Sequence, residues 1–192
     1  MRSAERPTTG HVARIEPWTG RQFSGRIDEC MRIYVRAMKY PDHTGAQRAV
    51  SARKHVSYDG FACRAALLDD GTLVGFAYGY TTKPGQWWHD LVRNAVTPEN
   101  ARDWLFDAFE LSELHVLPEY HGIGIGRRLL TSLAGGIPHA AMLLSTPDHD
   151  TRAFRLYRAT GFIDLARNYL FPGDARPFAV LGARLPLHDG AH

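Results

Sequence analysis

His121 to Leu130 reads HGIGIGRRLL, with glycines at 122, 124 and 126, then Arg127 and Arg128, then the leucines of an apolar helix. Glycine tolerates positive φ, so a tight strand-to-helix turn accounts for one such residue. Three on alternate positions are more than one turn needs. A backbone without Cβ atoms lets a ligand approach its amides. A helix start also offers unpaired N–H groups and partial positive charge, which suit phosphate. The two arginines add full charges, and the stretch reads as a phosphate cradle. Two familiar cradles fail on spacing. Counted from Gly124, the third glycine of a G-x-G-x-x-G dinucleotide fingerprint would be Leu129. Counted from Gly122, the second glycine of a Walker loop would be Arg127.

Outward from this stretch the chain alternates in period. His11 to Ile15 predicts a short strand. Apolar residues at three and four from Phe23 through Ile27, Met31, Tyr34 and Met38 predict one amphipathic helix over Arg21 to Lys39. A second helix is expected from Gln47 to His55. Phe61 to Leu68 and Thr72 to Tyr80 read as a hairpin about Asp69-Asp70-Gly71. Gln86 to Arg102 fits neither period, with Trp87-Trp88 in a loop or short helix. Phe106 to Val116 is expected as a strand ended by Pro118, which has no donor for a ladder. Gly126 to Leu133 is a helix closed by Gly135-Gly136, and Ala140 to Ser145 a short buried strand. Asp150 is the expected N-cap of a helix to Thr160. Phe162 to Phe171 and Phe178 to Leu185 predict a last hairpin.

Composition bounds the rest. The 192 residues show no composition break, so residues 1–192 are expected as one α/β domain. No run approaches a membrane span, and Met1 to Gly20 lacks the apolar core of a signal peptide. Cys30 and Cys63 give neither a disulfide framework nor a metal quartet, which makes a reducing cytoplasm the expected compartment. The net charge of +3 suits an anionic ligand and is too mild to argue for nucleic acid. The ten histidines, those of the tail included, are too scattered along the chain to suggest a site, so no metal is expected.

Two segments together resemble the GCN5-related N-acetyltransferases, the GNAT family. LHVLPEYHGIGIGRRLL, Leu114 to Leu130, is similar to the family's acyl-CoA loop of type Q/R-x-x-G-x-G/A after a strand. DTRAFRLYRATGF, Asp150 to Phe162, is similar to its later helix motif, through Asp150, Ala153, Tyr157 and Gly161-Phe162. His121 stands where glutamine or arginine is usual, and Asp150 replaces asparagine. The resemblance implies a mixed, mostly antiparallel central sheet flanked by helices. It implies acetyl transfer from acetyl-CoA to an amine. The loop His121, Gly122, Ile123, Gly124, Ile125, Gly126 and Arg127 would hold the pyrophosphate of coenzyme A. The backbone of Leu114, His115 and Val116 would pair with the pantetheine arm as an added strand.

Acyl transfer to an amine requires that the amine lose a proton, the carbonyl be polarised and the leaving thiolate be protonated. Tyr157 stands where the family often places the thiolate's acid. Glu110, eleven residues before His121, resembles in spacing the glutamate base of the histone-acetylating branch. Glu110 and Glu113 fall on opposite faces of a period-two strand unless a bulge intervenes. Rivals for the base are a relayed water or an amine arriving unprotonated. Ser145 either hydrogen-bonds substrate or only closes its strand, and Arg152 and Arg155 either meet the adenine-end phosphate or, as the preferred reading, form a solvated helix face. Trp87, Trp88 and Trp104 either wall an acceptor pocket, with Asp90 or Asp103 attracting a cation, or pack under a loop or at a homodimer contact. The rival function is a non-catalytic acyl-CoA-binding sensor on the same fold.

Overall fold

A computed structural model describes residues 13–188. Its elements run β1 (Arg14–Trp18), α1 (Gly20–Gly25), α2 (Ile27–Met38), α3 (His43–His55), β2 (Ala62–Leu67), β3 (Leu73–Thr81), α4 (Trp87–Ala95), α5 (Pro98–Leu105), β4 (Ala108–Val116), α6 (Ile125–Ala134), β5 (Ala141–Pro147), α7 (Arg152–Ala159), β6 (Ile163–Tyr169) and β7 (Phe178–Arg184). The strands form one seven-stranded sheet in the order β1-β2-β3-β4-β5-β7-β6. Every neighbouring pair is antiparallel except β4 and β5. The expected mixed, mostly antiparallel sheet with flanking helices is therefore observed. The start of the expected first strand, His11 and Val12, lies outside the described residues.

Local chemistry explains where the boundaries fall. The single helix expected over Arg21 to Lys39 is two. Thr19 and Gln22 form a reciprocal cap that starts α1, and the chain leaves helical geometry at Arg26. α2 then buries Ile27, Cys30, Met31, Ile33 and Val35. The ambiguous stretch after Gln86 resolves into α4 and α5, the second opened by Thr97 and Pro98. Thr151, not Asp150, caps α7: its hydroxyl accepts from the Phe154 amide, while Asp150 pairs with Arg155.

Alternation along β3 sorts the core. Phe76 and Tyr78 meet Phe23 of α1, and Tyr80 meets His55 of α3. The small residues between them admit α6 on the other face, where Gly75 lies against Leu129. Farther along, α4 and α5 bury Trp88, Val92 and Leu105 against Leu143, Leu165 and Val180 of β5, β6 and β7. Stripping this apolar surface from water is the main favourable contribution to folding.

Two irregularities make room for a site. β4 and β5 pair only over Ala108 to Glu110 against Ala141 to Leu143, and no ladder joins them beyond that. In the β3–β4 ladder, Gly79 pairs with Leu111 but Tyr78 with Glu113, so Ser112 is an extra residue in β4. Gly79 permits the close approach there, because a Cβ on it would sit 2.0 Å from the Glu110 carbonyl oxygen.

Candidate active site

A cleft of about 1340 Å³ opens where β4 and β5 part, and it reaches from the loop before α6 to the aromatic residues of α2, α3 and α4. Its loop end is built from backbone. Gly122 and Gly124 take φ of +83° and +84°, which glycine adopts without the strain a side chain would bring. Gly126 lies inside α6, and a Cβ there would meet only Leu156 at 3.5 Å, an ordinary contact. Nothing in the fold around it demands a glycine at 126.

Among the described residues, none of the amides from Gly122 to Arg127 donates to a protein acceptor; internal bonding resumes at Arg128, whose amide reaches the Gly124 carbonyl. The His121 amide donates to the Pro118 carbonyl in the 3-10 turn Pro118–Tyr120, so the open run begins at Gly122. The His121 ring is also engaged, donating from Nε2 to the Val116 carbonyl at 2.7 Å. The open amides and the start of α6 make a focus of positive potential. Arg127 lines the cleft beside it and has no carboxylate partner among the described residues. Arg152, read as facing solvent, is exposed but leans over the loop, with its Nη1 3.4 Å from where a Cβ of Gly122 would stand. Arg155 is held by Asp150.

The other end of the cleft is built from side chains. Because Ser112 is an extra residue, Glu110 and Glu113 oppose Tyr80 and Tyr78, two positions of β3 on the same face. Both carboxylates therefore face α2 and α3, and both are buried, at 4% and 6% exposure. Their environments push them apart. Burial drives Glu110 up to about 8, against the opposing hydrogen bond from the Tyr80 hydroxyl at 2.8 Å and the attraction of Arg48. Its second oxygen has no protein partner. Burial also disfavours the charge on Glu113, but Arg48 and His115 outweigh it and hold this carboxyl down at about 2. Glu113 Oε1 accepts from Arg48 Nε, and Oε2 accepts from His115 Nε2.

Tyr157, from α7, is buried and lines the same cleft. Burial first, and the nearby Glu113 charge second, raise its phenol above its ordinary value, so it keeps its proton at neutral pH. Ser145 lines the cleft too and accepts from Trp88 Nε1 at 3.0 Å. Of the three tryptophans, Trp87 and Trp88 wall the cleft, whereas Trp104 packs under the Arg184 guanidinium, 4.0 Å from its ring. Asp90 is engaged by His89 and the Gly85 amide and Asp103 by Arg102, and neither lines the cleft. Leu114 and Val116 line it, and Val116 is buried. Sequence reasoning missed Arg48, Tyr80 and the side chain of His115. The alternation Phe76, Tyr78, Tyr80 signals one aromatic face, but nothing near Arg48 in sequence points to Glu113.

Residues 27–162 match the family model for the acetyltransferase (GNAT) family. The chain belongs to the GNAT acetyltransferases. It is 37% identical, over 191 aligned positions covering 84% of this chain and 93% of the relative, to a GCN5-like protein acetyltransferase of Mycobacterium tuberculosis. Solved GNAT structures share the fold at low identity. A GNAT-superfamily phosphinothricin acetyltransferase from Sinorhizobium meliloti, in complex with acetyl-CoA, aligns with TM-score 0.60 at 18% identity, covering 94% of this chain and 91% of that one. A GNAT-family acetyltransferase from Bacillus cereus aligns with TM-score 0.59 at 15% identity, covering 89% and 96%. GNAT acetyltransferases use acetyl-CoA, and the open amides of this GNAT chain suit such an anionic cosubstrate. No helix among the described residues is long and apolar enough to cross a membrane.

Proposed function

We propose that the protein is an acetyl-CoA-dependent N-acetyltransferase acting on an amine. One observation carries the reading. A run of amides with no internal partner, containing a glycine at 126 that its own surroundings do not require, opens into the same cleft as Glu110 and Tyr157. The amides of Gly122 to Arg127 and the Arg127 guanidinium would hold the pyrophosphate, and the backbone of Leu114 to Val116 would flank the pantetheine arm. When bound, acetyl-CoA supplies an activated acetyl group. Glu110, raised toward neutrality by burial, takes a proton from the attacking nitrogen. Tyr157 gives a proton to the departing sulfur. Ser145 and the indoles of Trp87 and Trp88 stand on the acceptor side of the cleft.

The relative from M. tuberculosis is named a protein acetyltransferase, so the acceptor panel includes lysine-bearing peptides and protein amines beside small amines. The test is release of free thiol from acetyl-CoA against that panel, with products identified by mass spectrometry. Thiol release that requires both an amine and Tyr157 supports the reading. Tight acetyl-CoA binding without turnover on any acceptor replaces it with the non-catalytic sensor.

A further inference from the structure

We propose that His115 is a second proton acceptor in the cleft, stripping the proton from an acceptor that arrives as an ammonium ion, with Glu113 and Arg48 as its positioning residues. This rests on the acetyltransferase reading above.

The geometry is a carboxylate–imidazole pair. His115 Nε2 donates to Glu113 Oε2, and Arg48 Nε holds the other oxygen of the same carboxylate. An imidazole that donates from Nε2 keeps its lone pair on Nδ1 when neutral. That nitrogen has no protein partner among the described residues and is not among the buried orphan atoms, and the residue lines the cleft. The ring is held by the edge of Tyr34, with centroids 5.2 Å apart, and by Phe76 at 5.8 Å. The titratable and charged groups around the pair are Arg48 and His55 from α3, Tyr34 from α2, Tyr78 and Tyr80 from β3, Glu110 from β4 and Tyr157 from α7; the His55 Nδ1 is engaged with the Tyr78 hydroxyl at 3.1 Å. Glu113 cannot be the base, because both its oxygens are occupied and it is held ionised by its partners.

Proton accounting gives His115 a task. An alkylammonium must lose one proton before its nitrogen has a lone pair to attack with. As the C–N bond forms, that nitrogen must lose a second. As the C–S bond breaks, the sulfur gains one, and the turnover releases one proton net. Glu110 and Tyr157 handle the second and third transfers. The first falls to His115 Nδ1, which passes the proton to solvent through the open cleft. An acceptor that is already unprotonated at neutral pH skips this first step.

The test therefore reads a ratio between two probes of nearly the same shape, benzylamine, an ammonium ion at neutral pH, and phenylhydrazine, largely unprotonated there. Both are run within the amine panel, on wild-type protein and on His115→Gln, which can still donate to Glu113 but offers no basic nitrogen. The expected result is a fall on the order of 10²-fold in the benzylamine-to-phenylhydrazine ratio of kcat/KM, the usual scale of one general base. A purely structural role would lower both acceptors together and leave the ratio fixed, which overturns the proposal. Should His115→Gln fail to fold, His115→Asn and Glu113→Gln give the same ratio test, with the fall expected in both. Wild-type protein that binds acetyl-CoA but turns over none of the panel overturns the acetyltransferase reading and this proposal with it. Wild-type turnover with an unchanged ratio overturns this proposal alone.

Discussion

Glu110 and Glu113 lie three positions apart on one strand yet share a face, because Ser112 is an extra residue between them. The shared face puts two buried carboxyls near one guanidinium, and of the two Arg48 bonds to Glu113. One carboxyl is held ionised and the other is pushed toward neutrality, a separation suited to acid–base work.

Glu110 should set the rising limb of the pH–rate profile. A base must be ionised, so turnover should climb with pH up to about 8, the value to which burial drives this carboxyl. Glu110→Gln should flatten that limb and lower kcat by roughly 10²-fold or more. The stability effect has the opposite sign. A carboxyl raised from 4.5 to about 8 stabilises the folded state fully below 4.5, and the contribution fades as pH rises toward 8. The glutamine does not titrate, so its stability relative to wild type should grow between pH 5 and 9 by on the order of 4 kcal/mol. Urea unfolding at the two pH values checks it. A parallel pair of stability curves refutes the buried-carboxyl account.

Gly126 is the cleanest test of the cradle. Gly124 has positive φ, so Gly124→Val strains the backbone by roughly 1 kcal/mol or more and mixes folding with binding. Gly126 is helical, and an added Cβ makes only an ordinary contact with Leu156. Gly126→Val should keep the unfolding midpoint within a few degrees of wild type. Its affinity for acetyl-CoA, measured by calorimetry, should fall at least about tenfold, or roughly 1.4 kcal/mol. Unchanged affinity in a folded variant moves the nucleotide elsewhere.

Much of this site was legible because it is local. The glycine spacing at 122, 124 and 126, the strand before it and the α7 motif each sit within a few residues, and the structure brings them to one cleft. Local rivals caused the small errors. Asp150 and Thr151 are both good caps, and the carboxylate was drawn to Arg155 while the hydroxyl took the Phe154 amide. One amphipathic stripe spans α1 and α2, and the break at Arg26 follows Gly25, a poor helix former, with no change in the apolar period to mark it. What could not be read depends on contacts distant in the chain. The Ser112 bulge is tied to the close approach of Gly79, on a different strand. Arg48 and Glu113 stand sixty-five positions apart, and no periodicity within α3 points to β4.

Tyr157→Phe separates chemistry from binding. The phenol is buried, its proton is held by burial and the Glu113 charge, and its hydroxyl has no protein partner among the described residues. Losing the hydroxyl therefore breaks no hydrogen bond of the fold, and the unfolding midpoint should stay within a few degrees of wild type. With no acid for the sulfur, kcat should fall roughly 10²-fold while acetyl-CoA affinity holds. Stopped-flow thiol detection with saturating acetyl-CoA measures the first and calorimetry the second. Unchanged turnover removes Tyr157 from the chemistry.

Arg48 is where function and stability meet. It bridges α3 to the bulged strand through a carboxylate that is only 6% exposed. Removing one partner of such a pair leaves the other charged and buried, a cost of about 3–5 kcal/mol. Arg48→Met should show that loss in urea unfolding at pH 7, where Glu113 would otherwise be ionised. The loss should shrink toward pH 3 as the unpaired carboxyl takes up a proton. Because the Coulombic gain of a buried pair only partly exceeds its desolvation cost, removing both charges should hurt less than removing one. Arg48→Met with Glu113→Gln should therefore recover most of the stability lost by Arg48→Met alone. It should not recover activity toward alkylamines, since His115 would then lack its anionic partner. A double variant as unstable as the single one would mean that Arg48 supports the fold through packing of its stem and not through Glu113.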